Sequence, residues 1–190
     1  MVGLENDIKN GIDVLQKGGT ILYPTDTVWG IGCDALNEAA VEKVFSIKQR
    51  PKEKSMIILL ADARDILQYV ATPHPDIIAI VESFDRPTTV IYKNALDFPA
   101  NVVNLDGSIA IRITTDPFCK ALIKRFRRPI VSTSANISGA LTPSIFKMIA
   151  PAIVSNVDYV VKYRKEDDTI HAPSRLVRIN DDGTLEILRG

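Results

Sequence analysis

Helical periodicity and short β-rich apolar runs take turns along almost the whole chain, and that alternation leaves few folds open. Leu4, Ile8, Ile12 and Leu15 recur at helical spacing and stop at Gly18-Gly19, a C-terminal cap signal. Residues 20–23 then read as a short strand ended by Pro24, and Asn37 offers an N-cap to a helix burying Val41, Val44 and Phe45. The order repeats with a strand at 56–60, a helix at 63–70 opened by Asp62, and a helix at 75–84. Strands follow at 88–92 and 108–113, then a helix start at Asp116-Pro117 with proline in the first position. A strand at 130–133, a short helix at 144–149 closed by Pro151 and a strand at 157–161 lead to two terminal runs around Asp181-Asp182-Gly183, a hairpin signal. The expected fold is α/β or α+β, a mixed sheet with helices packed on it. At 190 residues it suits a single domain over 1–190.

Composition narrows the function classes. The 23 basic residues balance the 23 acidic ones, so bulk charge does not hold this chain to nucleic acid. No run is long and apolar enough for a bilayer, and the N-terminus carries acid before any apolar stretch, unlike a secretory signal. The expectation is a cytoplasmic protein with no membrane partner. Cys33 and Cys119 lie far apart without a histidine cluster, which suits reduced core thiols rather than a metal site. His74 and His171 likewise lack ligand-spaced partners.

Three segments carry chemistry. Tyr23-Pro24-Thr25-Asp26-Thr27-Val28-Trp29-Gly30-Ile31-Gly32 crowds hydroxyls and glycines at a strand end, where α/β proteins place ligands; a tight turn is the plain alternative. Lys48-Gln49-Arg50-Pro51 closes a helix that proline cannot continue. Cations there complement the helix dipole, or Lys48 and Arg50 together grip a polyphosphate as point charge and planar fork. Ser132-Thr133-Ser134-Ala135-Asn136-Ile137-Ser138-Gly139 follows an apolar strand, and Ser134 and Asn136, two apart, share one face of an extended segment. Pro173-Ser174-Arg175 is a weaker fourth signal, and no Ser/His/Asp arrangement stands out.

In order and spacing, Gly-Gly-x-x-x-x-Pro-Thr-Asp-Thr-x-x-Gly-x-Gly, Lys-x-Arg-Pro and Ser-x-Asn followed by Ser-Gly resemble the Sua5/YciO/YrdC/TsaC family of threonylcarbamoyl-AMP synthases, in its short single-domain form. The ending Ile187-Leu188-Arg189-Gly190 resembles the family's finish without its proline. The resemblance implies a YrdC/RibB-like twisted open sheet around a concave basic cavity. It also implies that ATP, L-threonine and bicarbonate become threonylcarbamoyl-AMP and pyrophosphate, for N6-threonylcarbamoyladenosine in tRNA. ATP is then a substrate, with Mg2+ arriving on its phosphates.

By matching positions, Lys48 and Arg50 carry the catalytic charge on the ATP phosphates. Ser134 and Asn136 hold the nucleotide near its α-phosphate, and Ser108, Thr142 and Arg189 add nucleotide contacts. Thr27, Arg112, Ser132 and Ser174 fall at threonine-binding positions, with Arg112 as carboxylate partner. The plain reading of Arg112 is a strand-edge salt bridge that lysine could replace.

Three segments depart from the family pattern. They are Lys54-Ser55-Met56, the stretch Asp85-Arg86-Pro87-Thr88-Thr89, and Pro173-Ser174-Arg175-Leu176. Implied partners are a threonylcarbamoyl transferase complex that takes the product, and tRNA or double-stranded RNA. A YciO-like paralogue binding double-stranded RNA or the ribosome is the main alternative. For that role Lys120, Lys124, Arg125, Arg127 and Arg128 supply the dense basic cluster, otherwise the solvated end of the helix begun at Pro117. Adenylation of another carbamate, as in hydrogenase-maturation carbamoyltransferases, is a third.

Overall fold

The computed structural model describes residues 2–51 and 56–190. Its strands are β1 (Ile21–Tyr23), β2 (Gly30–Gly32), β3 (Ile57–Leu60), β4 (Thr88–Tyr92), β5 (Ile109–Ile113), β6 (Ile130–Ser134), β7 (Tyr159–Val160), β8 (Arg175–Ile179) and β9 (Leu185–Arg189). They form one mixed sheet in the order β7-β1-β2-β6-β3-β5-β4-β8-β9. The pairs β1–β7, β3–β5 and β4–β8 are parallel and the others antiparallel. Helices α1 (Val2–Gln16), α2 (Glu38–Lys48), α3 (Ile66–Tyr69), α4 (Ile77–Glu82), α5 (Pro117–Phe126) and α6 (Pro151–Val154) complete it.

Because strand side chains alternate, each face of the sheet builds its own core. Leu22, Ile31, Val131, Ile58, Ile111 and Val90 point to one face, in one core with Val41, Val44 and Phe45 of α2, Ile66 and Tyr69 of α3, Ile77 of α4 and Ile153 of α6. Ile21, Tyr23, Ile130 and Leu59 point to the other, under Ile8 and Leu15 of α1 and Phe118, Leu122 and Ile123 of α5. On that second face the apolar cover draws on β1, β6 and β3. The face continues beyond them as a polar stretch.

The expected caps form. Asn37 Oδ1 accepts from Ala40 N at 3.1 Å, Asp116 Oδ1 accepts from Cys119 N at 2.9 Å with Pro117 next to it, and Gly18 ends α1 at φ 68°. Three expectations need correction. The helix read at 63–70 is a 3₁₀ turn, Ala63–Asp65, followed by the single turn α3. The helix read at 144–149 is a 3₁₀ turn, Phe146–Met148, and Pro151 opens α6 rather than closing anything, since proline fits a first helical turn. The segment after Pro24, expected as a strand end or tight turn with no strand of its own, contains β2. Lys54 and Ser55 lie outside the described residues.

Gly32 belongs to packing rather than ligand approach. A Cβ there would lie 2.5 Å from Val131 O and 2.7 Å from the Tyr23 ring, whose hydroxyl donates to Val131 O at 3.1 Å. Gly32→Ala should therefore cost about 1–3 kcal/mol or more, read as a lower urea midpoint at unchanged m value. Gly3→Ala, in open space on α1, should leave the midpoint equal or slightly higher.

Candidate functional site

Lys48 is the last residue of α2 and is 1% exposed. The helix stops because Gln49 turns left-handed at φ 49°, and the amides of Gln49 and Arg50 then bond back to Ser46 O and Phe45 O. The turn leaves Lys48 Nζ buried against the loop after β6. The ammonium donates to Ser134 O, to Asn136 O at 2.7 Å and, at 3.5 Å, to Asn136 Oδ1. Ser138 N donates to Lys48 O at 2.8 Å, so backbone and side chain of one residue hold both ends of the loop. Within it, Ser134 Oγ donates to Asn136 Oδ1 at 2.5 Å, and Asn136 Nδ2 donates to Ala140 O at 2.8 Å. Burial, and secondarily the Arg50 charge, push the Lys48 amine down to about 7, against the pull of its oxygen acceptors. Arg50 is half-buried, and burial lowers it too. Lys48 is thus no surface cation answering a helix dipole.

Register assembles the rest. Ile57 pairs with both Ser132 and Ala110, Leu59 with both Ile130 and Arg112, and Thr89 with Arg112. Paired residues share a face, so Ser132, Ser134, Arg112 and Thr89 line the polar stretch of the second face. Ser108 immediately precedes β5 and Ser134 ends β6. Ser108 Oγ accepts from Asn104 Nδ2 at 2.9 Å.

Arg112 is 3% exposed in β5, an interior strand, which corrects the strand-edge reading. Its NH1 donates to Thr27 Oγ1 at 3.0 Å, and its NH2 lies 3.2 Å from Asp26 Oδ1. Thr25 supports Thr27 through a 2.9 Å hydroxyl contact. One strand further, Thr89 Oγ1 and Ser174 Oγ are 2.8 Å apart, and Arg189 NH2 donates to Ser174 O at 2.9 Å. Arg189, expected at the nucleotide, thus bonds the backbone of Ser174, a position expected at threonine. Thr142 is exposed in the loop after β6.

Sequence reasoning assigned no role to Asp26, Thr89 or Arg164. Arg164 links the late segment to the site: it bonds Thr25 O at 3.1 Å and Asp116 Oδ2 at 3.0 Å, and its NH2 is 3.3 Å from His171 Nε2. Asp26 lay inside the first motif, but only the register of β4 and β5 reveals Thr89, and only the folded late segment reveals Arg164. The basic cluster behaves as a helix end: Arg125 pairs with Glu5 at 2.6 Å and Arg128 with Asp34 at 2.8 Å.

The Sua5/YciO/YrdC family model, described as telomere recombination, matches residues 13–190. A threonylcarbamoyl-AMP synthase of Pseudoalteromonas translucida is 38% identical over 189 residues, 98% of each chain. One of Xanthomonas oryzae pv. oryzae is 34% identical over 188 residues, 96% of each. Among solved structures, P. abyssi Sua5 complexed with L-threonine superposes with TM-score 0.83 at 23% identity, taking in 96% of this chain and 53% of that longer one. E. coli YciO does so with TM-score 0.81 at 23% identity, over 96% and 87%. At that identity the two structures establish a shared fold. Matched over nearly its whole length by the family model and by relatives of its own size, the chain belongs to the Sua5/YciO/YrdC family.

Proposed function

We propose that this protein is an enzyme, a threonylcarbamoyl-AMP synthase, making threonylcarbamoyl-AMP and pyrophosphate from ATP, L-threonine and bicarbonate. The observation that carries the reading is the end-to-end similarity to relatives of that name, 38% identical across 98% of both chains in one case. The geometry supports it with two polar clusters, one where the end of α2 meets the loop after β6 and one around Arg112. Lys48, Arg50, Ser134, Asn136 and Ser108 lie toward the β6 loop, and Thr27, Arg112, Ser132, Ser174 and Arg189 lie around β5 and β8. In this reading the polar stretch is the concave basic cavity, with Thr142 at its nucleotide side.

The first group receives ATP, whose Mg2+ comes with the phosphates. The second receives threonine, its carboxylate on Arg112. The threonine amine attacks bicarbonate with loss of water, or attacks carbon dioxide already dehydrated from bicarbonate with release of a proton, giving a carbamate. A carbamate oxygen then attacks the α-phosphorus, and pyrophosphate leaves with the electron pair of the broken P–O bond. No protein nucleophile is needed: Lys48 and Arg50 stabilise charge on the phosphates while the sheet holds the reactants in line. The mixed anhydride is labile and passes to a threonylcarbamoyl transferase complex acting on tRNA, in the cytoplasm. Among the described residues no helix is long and apolar enough to cross a membrane.

Pyrophosphate release tests the reading. It should require both L-threonine and bicarbonate, and should fall by at least about 100-fold in a Lys48→Ala, Arg50→Ala double variant that still folds. Release indifferent to threonine would sink it.

Burial of Lys48 also predicts a pH dependence. Its amine is lowered from the ordinary 10.5 to about 7, so between those values the unfolded chain holds more protons than the folded one. The burial penalty is present in full below about pH 7 and is relieved as pH rises toward 10.5. Urea unfolding should show a Lys48 contribution that grows more stabilising from pH 7 to 9, with a slope of at most about 1.4 kcal/mol per pH unit. Lys48→Met should flatten that rise.

A further inference from the structure

Arg112 Nε and Asp26 Oδ1 are buried and have no hydrogen-bond partner among the described residues. They belong to one ion contact: Asp26 Oδ1 lies 3.2 Å from Arg112 NH2, out of line for a hydrogen bond, and the two side chains are 8% and 4% exposed. Every other part of the pair is committed. Arg112 NH1 donates to Thr27 Oγ1 at 3.0 Å. Asp26 Oδ2 accepts from Thr115 N at 3.1 Å and Thr115 Oγ1 at 3.3 Å. What remains is one edge of a guanidinium and one carboxylate oxygen, side by side and unsatisfied. Such atoms keep their mutual ionic attraction but give up the hydrogen bonds water would supply, and buried groups in that state are rare unless something else completes them.

We infer that Asp26 and Arg112 together receive the amino acid as a zwitterion, with Asp26 Oδ1 accepting from its α-nitrogen. This rests on the amino-acid-activating reading above. As the two side chains part, the Nε–NH2 edge of Arg112 takes the α-carboxylate through two parallel hydrogen bonds. The freed Asp26 oxygen takes the ammonium, while Thr115 keeps the other oxygen in place.

Charge makes this exchange selective. The resting pair is already neutral, so a ligand carrying a carboxylate alone would draw Arg112 away and leave Asp26 buried without a counter-ion. A zwitterion supplies each partner with a replacement. Asp26 thereby discriminates α-amino acids from other carboxylates and fixes the nitrogen that must attack carbon.

The test titrates the ATP-loaded full-length protein by calorimetry with L-threonine and with its α-hydroxy counterpart, 2,3-dihydroxybutyrate. Wild type should bind the hydroxy acid at least about tenfold more weakly. Asp26→Asn should lose L-threonine affinity by about tenfold or more, yet bind the hydroxy acid as well as wild type or better, because no buried charge is stranded. Equal weakening toward both ligands would make Asp26 a mere support for Arg112 and overturn the inference. Equal affinity of wild type for the two ligands would overturn it without any variant. If Asp26→Asn does not fold, the wild-type ratio decides, together with Asp26→Glu, which keeps the charge and should keep the ratio. Wild type that binds ATP but neither ligand would bring down the amino-acid reading itself, and this inference with it.

Discussion

One buried ammonium ties the architecture to the chemistry. Lys48 closes α2, and its Nζ and carbonyl oxygen together fasten the loop from Ser134 to Ser138 to the helix end. A lysine so deeply buried is costly, and the backbone oxygens that accept from it offset only part of that cost. The same contacts restrain Ser134 and Asn136, and the left-handed Gln49 directs the chain onward to Arg50. Removing Lys48 would therefore loosen the loop as well as delete a charge, so part of any loss in Lys48 variants is positional. If the phosphates of ATP come to Lys48, they must compete with Ser134 O and Asn136 O for its donors, which couples nucleotide binding to the shape of this loop.

The sheet does the remaining positioning. Its first face carries a core shared by α2, α3, α4 and α6. Its second is divided, with the part under α1 and α5 apolar and the part running through Ser132, Ser134, Arg112 and Thr89 polar. Two-residue periodicity makes the division possible, because Ile130, Ser132 and Ser134 follow one another on one face while Val131 anchors the other. Arg164 closes the arrangement from the far end of the chain, joining the late segment to Thr25 O and to Asp116, the cap of α5.

Much of this was legible in the sequence where a local rule governed. Asn37 and Asp116 announced helix starts, Gly18 announced a stop, and Asp181-Asp182-Gly183 announced the terminal hairpin. Local rules failed where tertiary contacts decide. β2 is three residues long and carries two glycines, so it has no β signal of its own and exists because β1 and β6 pair with it on both sides. Pro151 looked like a stop because proline ends helices, whereas it stands at the start of one. In the candidate site, the motifs singled out Lys48, Arg50, Ser134 and Asn136, but not that the lysine would be buried on the loop carrying the other two. Thr89 sat in an ordinary strand, and its place beside Arg112 and Ser174 depends on pairings that span the chain. The hydroxyl positions of Thr27 and Ser174 came from the resemblance, and the structure brings Arg112 and Thr89 to them.

The most direct measurement is mass spectrometry of what the protein makes from ATP, L-threonine and carbon-13-labelled bicarbonate. The account predicts threonylcarbamoyl-AMP carrying one labelled carbon, in step with pyrophosphate. ATP bound by folded protein with no labelled adduct formed would contradict it.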